Sequence, residues 1–213
     1  MYFCSLIFYS IARHTICLMP SSLLLIFVKN PELGQVKTRL AATIGHRKAL
    51  RIYLKLLERT HAITQSLACD KTVYYSPAIQ ADDLWCQGDF QKALQLEGEL
   101  GERMAAAFKA GFARGYERIC IIGSDCYELT SEIIQSAYEA LETYDVVIGP
   151  SQDGGYYLLG MKELHPELLQ NKHWSTDSVL KDTIADLKRK QLRWTMLPEL
   201  NDVDEEKDLV TMR

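Results

Sequence analysis

Four aspartates on three separate loops are the residues of this sequence best suited to chemistry. They are Asp125, Asp153, Asp202 and Asp204. Carboxylate oxygens are the ligands that Mg²⁺ or Mn²⁺ prefers, and such an ion commonly joins one or two carboxylates to substrate phosphates. Each aspartate taken alone is better explained as a turn-forming or helix-capping acid. Their occurrence together predicts a metal site, with Asp125, Asp204 and Asp202 as its candidate ligands.

A basic loop follows the first apolar run and supplies the complementary charge. It spans Lys29–Leu40 and contains Lys29, Gly34, Lys37 and Arg39. A flexible glycine with three cations can wrap a di- or triphosphate through charge and backbone N–H groups, although a solvated basic loop is an equal alternative for this segment alone. The loop is neither a P-loop nor a dinucleotide-binding fingerprint. Loop and aspartates together favour a site for nucleotide phosphates.

The elements that must position these residues follow an α/β pattern. Two β-branched runs, Ile119–Ile122 and Val146–Ile148, flank a helical segment, Thr130–Glu142, and this predicts a β-α-β unit. Asp125 and Asp153 follow the two runs closely, so both should lie where open α/β sheets bind ligands, at the carboxyl ends of parallel strands. Further strands are predicted at Leu23–Val28, Lys71–Ser76, Tyr156–Met161 and Arg193–Leu197. Helices are predicted at His46–Leu67, from Met104 to Gly115 and from Ser175 or Thr176 to Lys190, with a short one at Ala81–Gln87.

Composition limits the possible classes of protein. The chain has 213 residues and a formal net charge of −4, which gives no overall attraction for nucleic acid or an anionic membrane. The 6 cysteines form no C-x-x-C pair and the 5 histidines are scattered, so we expect a reduced, cytoplasmic protein without a zinc site. No Ser-His-Asp or Cys-His arrangement is visible. The oligomeric state is open.

The first residues differ from the rest. The apolar stretch in residues 1–18 is broken by Arg13 and His14, too short to span a bilayer and poorly suited to be a signal peptide. We interpret residues 1–18 as a dubious or disordered extension, with Met19 as the natural start. Residues 19–213 are then expected to form one domain.

A glycine-rich turn completes the set of candidates. Asp153 precedes Gly154 and Gly155 near the end of a predicted strand. Asp153 is therefore a candidate general base that aligns and deprotonates an acceptor. A turn-forming role for its carboxylate is at least as well supported by the sequence.

Six ordered blocks of the chain resemble a known family. They are FVKNPELGQVKTRL, EGELGERMAAAF, IIGSDCYELT, GPSQDGGYYLLG, HWSTDSVL and NDVDEEKDL. They are similar to a bacterial family of small GT-A-type glycosyltransferases, often left as a domain of unknown function and in some cases named for arsenosugar biosynthesis. A more distant similarity connects them to molybdenum-cofactor and 2-phospholactate guanylyltransferases. The resemblance implies a Rossmann-like nucleotide-diphospho-sugar transferase (GT-A) fold, a three-layer α/β/α sandwich with a mainly parallel sheet.

The resemblance also implies roles for individual residues. Phosphate binding falls on Lys29, Lys37 and Arg39, metal binding on Asp125 and Asp204 with Asp202 as a second candidate, and the acceptor or sugar on Asp153, Gly154 and Gly155. This sequence departs from the family pattern at Tyr127 and at Glu205-Glu206, which puts fine geometry in doubt rather than the metal site.

Three interpretations of the function stay open, because a fold does not fix an activity. The first is metal-dependent glycosyl transfer from a nucleotide-sugar to a small acceptor, and the second is nucleotidyl transfer from an NTP to a phosphorylated small molecule. The third is a nucleotide-binding module without catalysis. The single glycine of the basic loop mildly favours a diphosphate donor over a triphosphate donor. The full set of acids argues against a protein that binds nucleotide without catalysis.

Overall fold

The computed structural model describes residues 21–86 and 88–212. The interpretation of residues 1–18 as an extension concerns residues outside these ranges. The described residues build one sheet of 7 strands, in the spatial order β3-β2-β1-β4-β6-β5-β7. The strands are β1 (Ser22–Lys29), β2 (Asp70–Ser76), β3 (Phe90–Leu94), β4 (Arg118–Ile122), β5 (Val146–Pro150), β6 (Tyr156–Met161) and β7 (Trp194–Met196). Only β6 runs antiparallel to its neighbours within this sheet.

Helices cover both faces of the sheet. They are α1 (Thr38–Ile44), α2 (His46–Thr64), α3 (Leu100–Ala113), α4 (Ser131–Thr143) and α5 (Val179–Arg189), with short 3₁₀ helices at Leu84–Cys86, Pro166–Leu168 and Glu206–Met212. In β1, Leu24 and Ile26 belong to the core under α2 and α4, whereas Leu23 and Leu25 belong to the core under α3 and α5. This alternation is the period-2 pattern of a strand buried on both faces. The predicted three-layer α/β sandwich with a mainly parallel sheet is confirmed.

Most predicted elements are present with shifted ends, and Thr130 caps α4 by accepting a hydrogen bond from the Ile133 N–H at 3.3 Å. One β-strand and one α-helix were missed. β3 has the sequence FQKAL, which is short and partly polar, and it forms an edge of the sheet. α1 begins inside the segment interpreted as a basic loop and continues past the end of that segment. The predicted short helix at Ala81–Gln87 is reduced to one turn of 3₁₀ helix.

The predicted β-α-β unit is present as β4, α4 and β5 with its two strands parallel, although β6 lies between them and pairs antiparallel with both. One prediction about the C-terminal half needs correction. The helix expected from Ser175 or Thr176 begins at Val179, and its N-cap residue Ser178 makes no side-chain capping bond. Ser175 has a φ of 64°, so the chain there is a loop rather than a helix start.

No helix within the described ranges is long and apolar enough to cross a membrane.

Candidate active site

A cavity of about 430 Å³ opens at the carboxyl edge of the sheet, above β1 and β4. A volume of this size is ordinary for a small-molecule site. The predicted site residues that line it are Lys29, Lys37, Arg39, Asp125, Asp153, Gly155, Asp202 and Asp204. Gly34 and Gly154 are not among the lining residues. The structure therefore brings eight of the ten candidates around one space.

Lys37 lies at the centre of the charged end of this cavity. Its Nζ atom is 2.6 Å from Asp125 Oδ1 and 3.0 Å from Asp204 Oδ1, and its side chain is only 4% exposed. Arg39 Nη2 reaches the other oxygen of Asp204 at 2.8 Å. Two carboxylates from distant parts of the chain thus converge on one buried ammonium group.

The charge of Lys37 is stabilised by these acids. Burial alone lowers the pKa of a lysine, but the nearby charges and hydrogen bonds of Asp125 and Asp204 exceed that effect, so the pKa of Lys37 is raised. The ammonium form therefore persists at neutral pH. The backbone of Lys37 is left-handed, with a φ of 49°, and it directly precedes α1. This conformation is unfavourable for a residue with a Cβ and is held by the surrounding contacts.

Backbone hydrogen bonds place Asp204 opposite Asp125. The Val203 N–H donates to the Asp125 carbonyl at 2.9 Å, and this joins the loop after β4 to the C-terminal loop. The buried carboxylate of Asp208 then accepts hydrogen bonds from the N–H groups of Asp204 and Glu205, at 3.0 and 2.7 Å. Asp208 was not singled out in the sequence, where nothing distinguishes it from the other acids of that segment.

Asp202 is the second acid of the C-terminal loop and lies in a more negative environment. Burial, followed by the charges of Asp125 and Asp153, raises the pKa of Asp202 to about 7. The Ser151 hydroxyl donates to its Oδ2 atom at 3.3 Å. Near neutral pH this carboxyl therefore carries only part of a negative charge, and a cation bound nearby would favour its ionised form.

Asp153 lies in the loop that joins β5 to β6, on the cavity side. It is exposed, and its Oδ1 atom accepts a hydrogen bond from the Gly155 N–H at 2.9 Å. The expected turn-forming contact is thus present, together with access to the cavity. Gly154 has a φ of 85°, and a Cβ there would lie 2.4 Å from the Asp177 carbonyl oxygen. Its observed contact is with the 174–178 loop, and its predicted role in ligand binding stays a prediction.

The end of β1 is anchored by a tyrosine of α2. The Tyr53 hydroxyl accepts from the Lys29 N–H at 2.8 Å and donates to the Lys29 carbonyl at 2.9 Å. The Lys29 side chain is left exposed at the rim of the cavity. Gly34 has a φ of 83° and serves the turn before α1.

The metal hypothesis can be tested against this geometry. Within residues 21–86 and 88–212, no group of three or more His, Cys, Asp or Glu side chains is arranged to hold a metal ion. The observed pair, Asp125 and Asp204, already surrounds a cationic nitrogen, and Asp125 remains 43% exposed toward solvent. Two carboxylates are sufficient for Mg²⁺ when substrate phosphates and water supply the other ligands. The residues present fit such a site.

On the side of the core under α3 and α5, the cavity is lined by residues that the sequence analysis did not include. Arg103 lies on α3, Gln95 follows β3, and Tyr156 and Trp174 belong to that core. None of the four has a local motif that marks it, because only the tertiary fold brings these segments together.

Comparisons with known proteins agree with this architecture. The family of uncharacterized proteins conserved in bacteria, DUF2064, matches residues 59–176. A crystal structure from Desulfovibrio desulfuricans, of a protein proposed to be a nucleotide-diphospho-sugar transferase, is 35% identical with a TM-score of 0.85. That match covers 91% of this chain and 87% of the other. No curated protein matches this sequence.

More distant structures share the fold alone. A nucleotidyl transferase from Methanothermobacter is 13% identical with a TM-score of 0.62, and the match covers 90% of this chain and 95% of the other. The inositol-1-phosphate CTP transferase from T. maritima is 11% identical with a TM-score of 0.60, covering 89% and 93%. The fold is therefore that of nucleotide-diphospho-sugar transferases and nucleotidyltransferases.

Proposed function

We propose that this chain, which belongs to the bacterial family of uncharacterized proteins DUF2064, is a metal-dependent transferase that uses a nucleotide-activated donor. The reaction best supported is glycosyl transfer from a nucleotide-diphospho-sugar to a small acceptor. The activity suggested for the Desulfovibrio protein supports this choice of donor. The single glycine of the basic loop, Gly34, supports a diphosphate in the same direction.

One observation carries the proposal: the buried ammonium of Lys37 lies between Asp125 and Asp204. These carboxylates create a place for positive charge at the carboxyl edge of the sheet, where α/β folds bind ligands. Cationic side chains, Lys29 and Arg39, line the same end of the cavity. The site is thus suited to a phosphate group that arrives together with a cation.

Asp125 and Asp204 would hold Mg²⁺ or Mn²⁺, with Asp202 as a second candidate. When bound, such an ion would stabilise negative charge on the phosphates of the leaving group. Lys37 and Arg39 contribute fixed positive charge to the same phosphates. The departing nucleoside diphosphate is then stable as an anion and needs no proton.

The proposed step forms one bond and breaks one. An acceptor hydroxyl oxygen bonds to the anomeric carbon of the donor, and the bond from that carbon to the phosphate oxygen breaks, with the electron pair leaving on the nucleoside diphosphate. The acceptor proton passes to the carboxylate of Asp153. Asp153 is exposed to the cavity and is oriented by the Gly155 N–H, which suits a general base.

A thermal-shift screen tests the proposal. Nucleoside triphosphates and nucleotide-sugars are added one at a time, with Mg²⁺, with Mn²⁺ or with EDTA, because a ligand that binds the folded state raises the melting temperature. We expect a nucleotide-sugar to stabilise the protein most, and only with metal. Stabilisation by a triphosphate alone would instead indicate nucleotidyl transfer. Stabilisation without turnover would indicate a binding module, and none by any nucleotide would contradict the proposal.

A further inference from the structure

The cavity wall formed by α3 contains an arginine, Arg103, that is held by a glutamine. Gln95 is 8% exposed, and its Nε2 atom donates to two backbone carbonyls, those of Val28 at 3.1 Å and Tyr74 at 2.9 Å. Both N–H donors of the amide are used, so its oxygen can point in only one direction. That oxygen accepts a hydrogen bond from Arg103 Nη1 at 2.9 Å. Gln95 therefore fixes the guanidinium group of Arg103.

Arg103 keeps most of its binding capacity unused. A guanidinium has five N–H donors, and the buried Nε–H of Arg103 has no hydrogen-bond partner. No carboxylate forms an ion pair with Arg103 anywhere in the described part of the chain. A buried donor without a hydrogen-bond partner lowers the stability of the fold by about 1–3 kcal/mol. The Nη2 group of Arg103 also makes no hydrogen bond with a described residue, and because Arg103 lines the cavity, a ligand anion there could accept from it.

The surroundings make the charge of Arg103 effective. The part of the cavity beside the core under α3 and α5, which we call the Arg103 compartment, has apolar lining residues that belong to that core, namely Phe27, Leu100, Met104, Ile121 and Trp174. Low polarity strengthens the attraction between opposite charges. Tyr156 belongs to the same cluster and lines the cavity, and its buried hydroxyl also lacks a partner. Burial raises the pKa of Tyr156, so this hydroxyl retains its proton.

The two parts of the cavity therefore favour ligand groups of opposite charge, a cation beside the aspartates and an anion in the Arg103 compartment. At the aspartate end, Lys37 and Arg39 are already paired with Asp125 and Asp204, and the exposed carboxylate of Asp153 forms no ion pair with another described residue. At the Arg103 compartment, one fixed cation and two free donors have no anion. A substrate that satisfies both ends carries a metal-bound phosphate and, separately, a second oxygen anion.

We propose that Arg103, positioned by Gln95 and assisted by Tyr156, binds a carboxylate or phosphate group of a substrate at a position distinct from the metal-bound phosphates. This inference deepens the proposed function and rests on it, because the proposed function is what makes the bound molecule a substrate. The anion belongs either to the acceptor or to the transferred part of the donor. The acceptor or donor is therefore an acidic small molecule rather than a neutral sugar.

The test uses inorganic phosphate as a probe, without nucleotide and without divalent metal. The Nε–H signals of arginines are followed by ¹H–¹⁵N NMR at constant ionic strength maintained with sodium chloride. The Arg103 signal is assigned by its loss in Arg103→Lys. We expect phosphate to shift this signal. We also expect Arg103→Gln to weaken phosphate binding, measured by calorimetry, by about 10- to 100-fold, because the variant loses charge-assisted hydrogen bonds.

A matched control lies at the other end of the same helix. Arg114 Nη2 donates to Gln91 Oε1 at 2.9 Å, which repeats the arginine–glutamine pair outside the cavity. Arg114→Gln should leave phosphate affinity unchanged, and the Arg114 signal should not move. Arg103→Lys keeps the positive charge but loses the planar guanidinium group with its several N–H donors, so it should retain part of the phosphate affinity. This result separates ligand binding from a folding defect.

Two further arms identify the source of the anion. With Mg²⁺, UDP-glucuronic acid is compared with UDP-glucose, and glucose 6-phosphate with glucose, in wild type and Arg103→Gln. A preference for the acidic donor that the variant loses assigns the anion to the donor, whereas a preference for the phosphorylated sugar assigns it to the acceptor. An unmoved Arg103 signal, or equal shifts at Arg103 and Arg114, would overturn the inference. Because the phosphate arm needs no nucleotide, that failure leaves the proposed function standing, while loss of all nucleotide binding would not affect the phosphate result.

Discussion

Lys37 Nζ lies between Asp125 and Asp204, the two carboxylates that we propose as ligands of a divalent ion. We predict that Lys37→Met raises the affinity of the nucleotide-free protein for Mg²⁺ by at least about tenfold, because it removes a competing charge from within a few ångströms of both acids. The same change should weaken binding of nucleotide with Mg²⁺, since phosphates lose a cation. Calorimetric titrations at fixed ionic strength measure both effects.

The control for this prediction is another lysine that pairs with an aspartate. Lys162 lies 3.6 Å from Asp145, outside the cavity lining. Lys162→Met should change neither titration. Equal Mg²⁺ affinity in Lys37→Met and wild type would show that Lys37 and the metal do not share a position.

Asp202 gives a prediction about pH. Its pKa is raised to about 7 in the folded protein from an ordinary value of 3.8, first by burial and then by Asp125 and Asp153. Because the unfolded chain ionises this carboxyl more easily, the folded state loses stability as pH rises from about 4 to 7. In EDTA, Asp202→Asn should stabilise the protein more at pH 8 than at pH 5, by on the order of 2 kcal/mol. Urea unfolding at the two pH values measures this.

Asp145 is a control because its pKa is shifted in the opposite direction to that of Asp202. A side-chain hydrogen bond from Arg193 lowers its pKa, so its contribution to stability is present above its ordinary pKa and is lost at acid pH. Asp145→Asn should therefore destabilise the protein at pH 8. If Asp202→Asn also destabilises at pH 8, burial of a carboxylate is not costly at that position.

Asp153 is the candidate general base. Once a donor and acceptor are identified, Asp153→Asn should lower turnover by a factor of about 10²–10⁴, the usual contribution of such a group. Donor affinity should change little, because Asp153 forms no ion pair with Lys37 or Arg39. Steady-state kinetics and calorimetry separate the two. Near-normal turnover, or loss of donor binding, would remove Asp153 from the catalytic residues.

At the scale of elements, the β5–β6 loop and the 174–178 loop form one unit. The Leu180 N–H donates to the Gly154 carbonyl at 2.9 Å, and a Cβ at Gly154 would lie 2.4 to 2.7 Å from the Asp177 backbone. Gly154→Ala should therefore destabilise the protein through both its positive φ and this collision. Gly115 has a similar φ, 88°, with nothing near its Cβ position.

Gly115→Ala is thus the matched control, since it carries only the backbone strain. We expect Gly154→Ala to cost at least about 2 kcal/mol more than Gly115→Ala, a typical penalty for overpacking. Thermal or urea unfolding of both variants measures the difference. Equal losses would mean that the two loops separate without cost.

The elements that the sequence predicts best are those with strong apolar runs. β1, β4, β5 and β6 were found because their burial is nearly continuous, whereas β3 was missed because an edge strand can be short and polar. The position of β6 had a signal that was not used. Only five residues separate β5 from β6, and a parallel connection needs about a dozen or more. The short loop already required an antiparallel neighbour.

For the site, the sequence predicted the convergence but not the contacts. Residues that follow strands of a parallel sheet meet at its carboxyl edge, so Asp125 and the basic loop could be placed together. The pairing of Lys37 with Asp125 and Asp204 depends on the left-handed backbone of Lys37 and on the Val203 N–H bond to Asp125. Neither has a local sequence signal.

At the scale of the whole molecule, the fold gathers four distant segments around one cavity. The segment after β1 supplies the cations, the loops after β4 and β5 supply Asp125 and Asp153, and the C-terminal loop supplies Asp202 and Asp204. α3 and the 174–178 loop supply further lining residues. In the proposed function the aspartates bind a divalent cation, and in the further inference the Arg103 compartment binds an anion of the substrate.

The most direct test of the metal-dependent nucleotide site is the stabilisation of Asp125→Asn and Asp204→Asn by the nucleotide that the screen selects. An amide keeps the shape of the carboxylate but loses the charge that a divalent ion needs. In wild type, a ligand at about 100 times its Kd adds about 2.7 kcal/mol, and we expect most of this to require Mg²⁺. Both variants should fold, as judged by circular dichroism, and lose the Mg²⁺-dependent part, while Asp145→Asn retains it. Full Mg²⁺-dependent stabilisation in both variants would contradict the assignment of these aspartates.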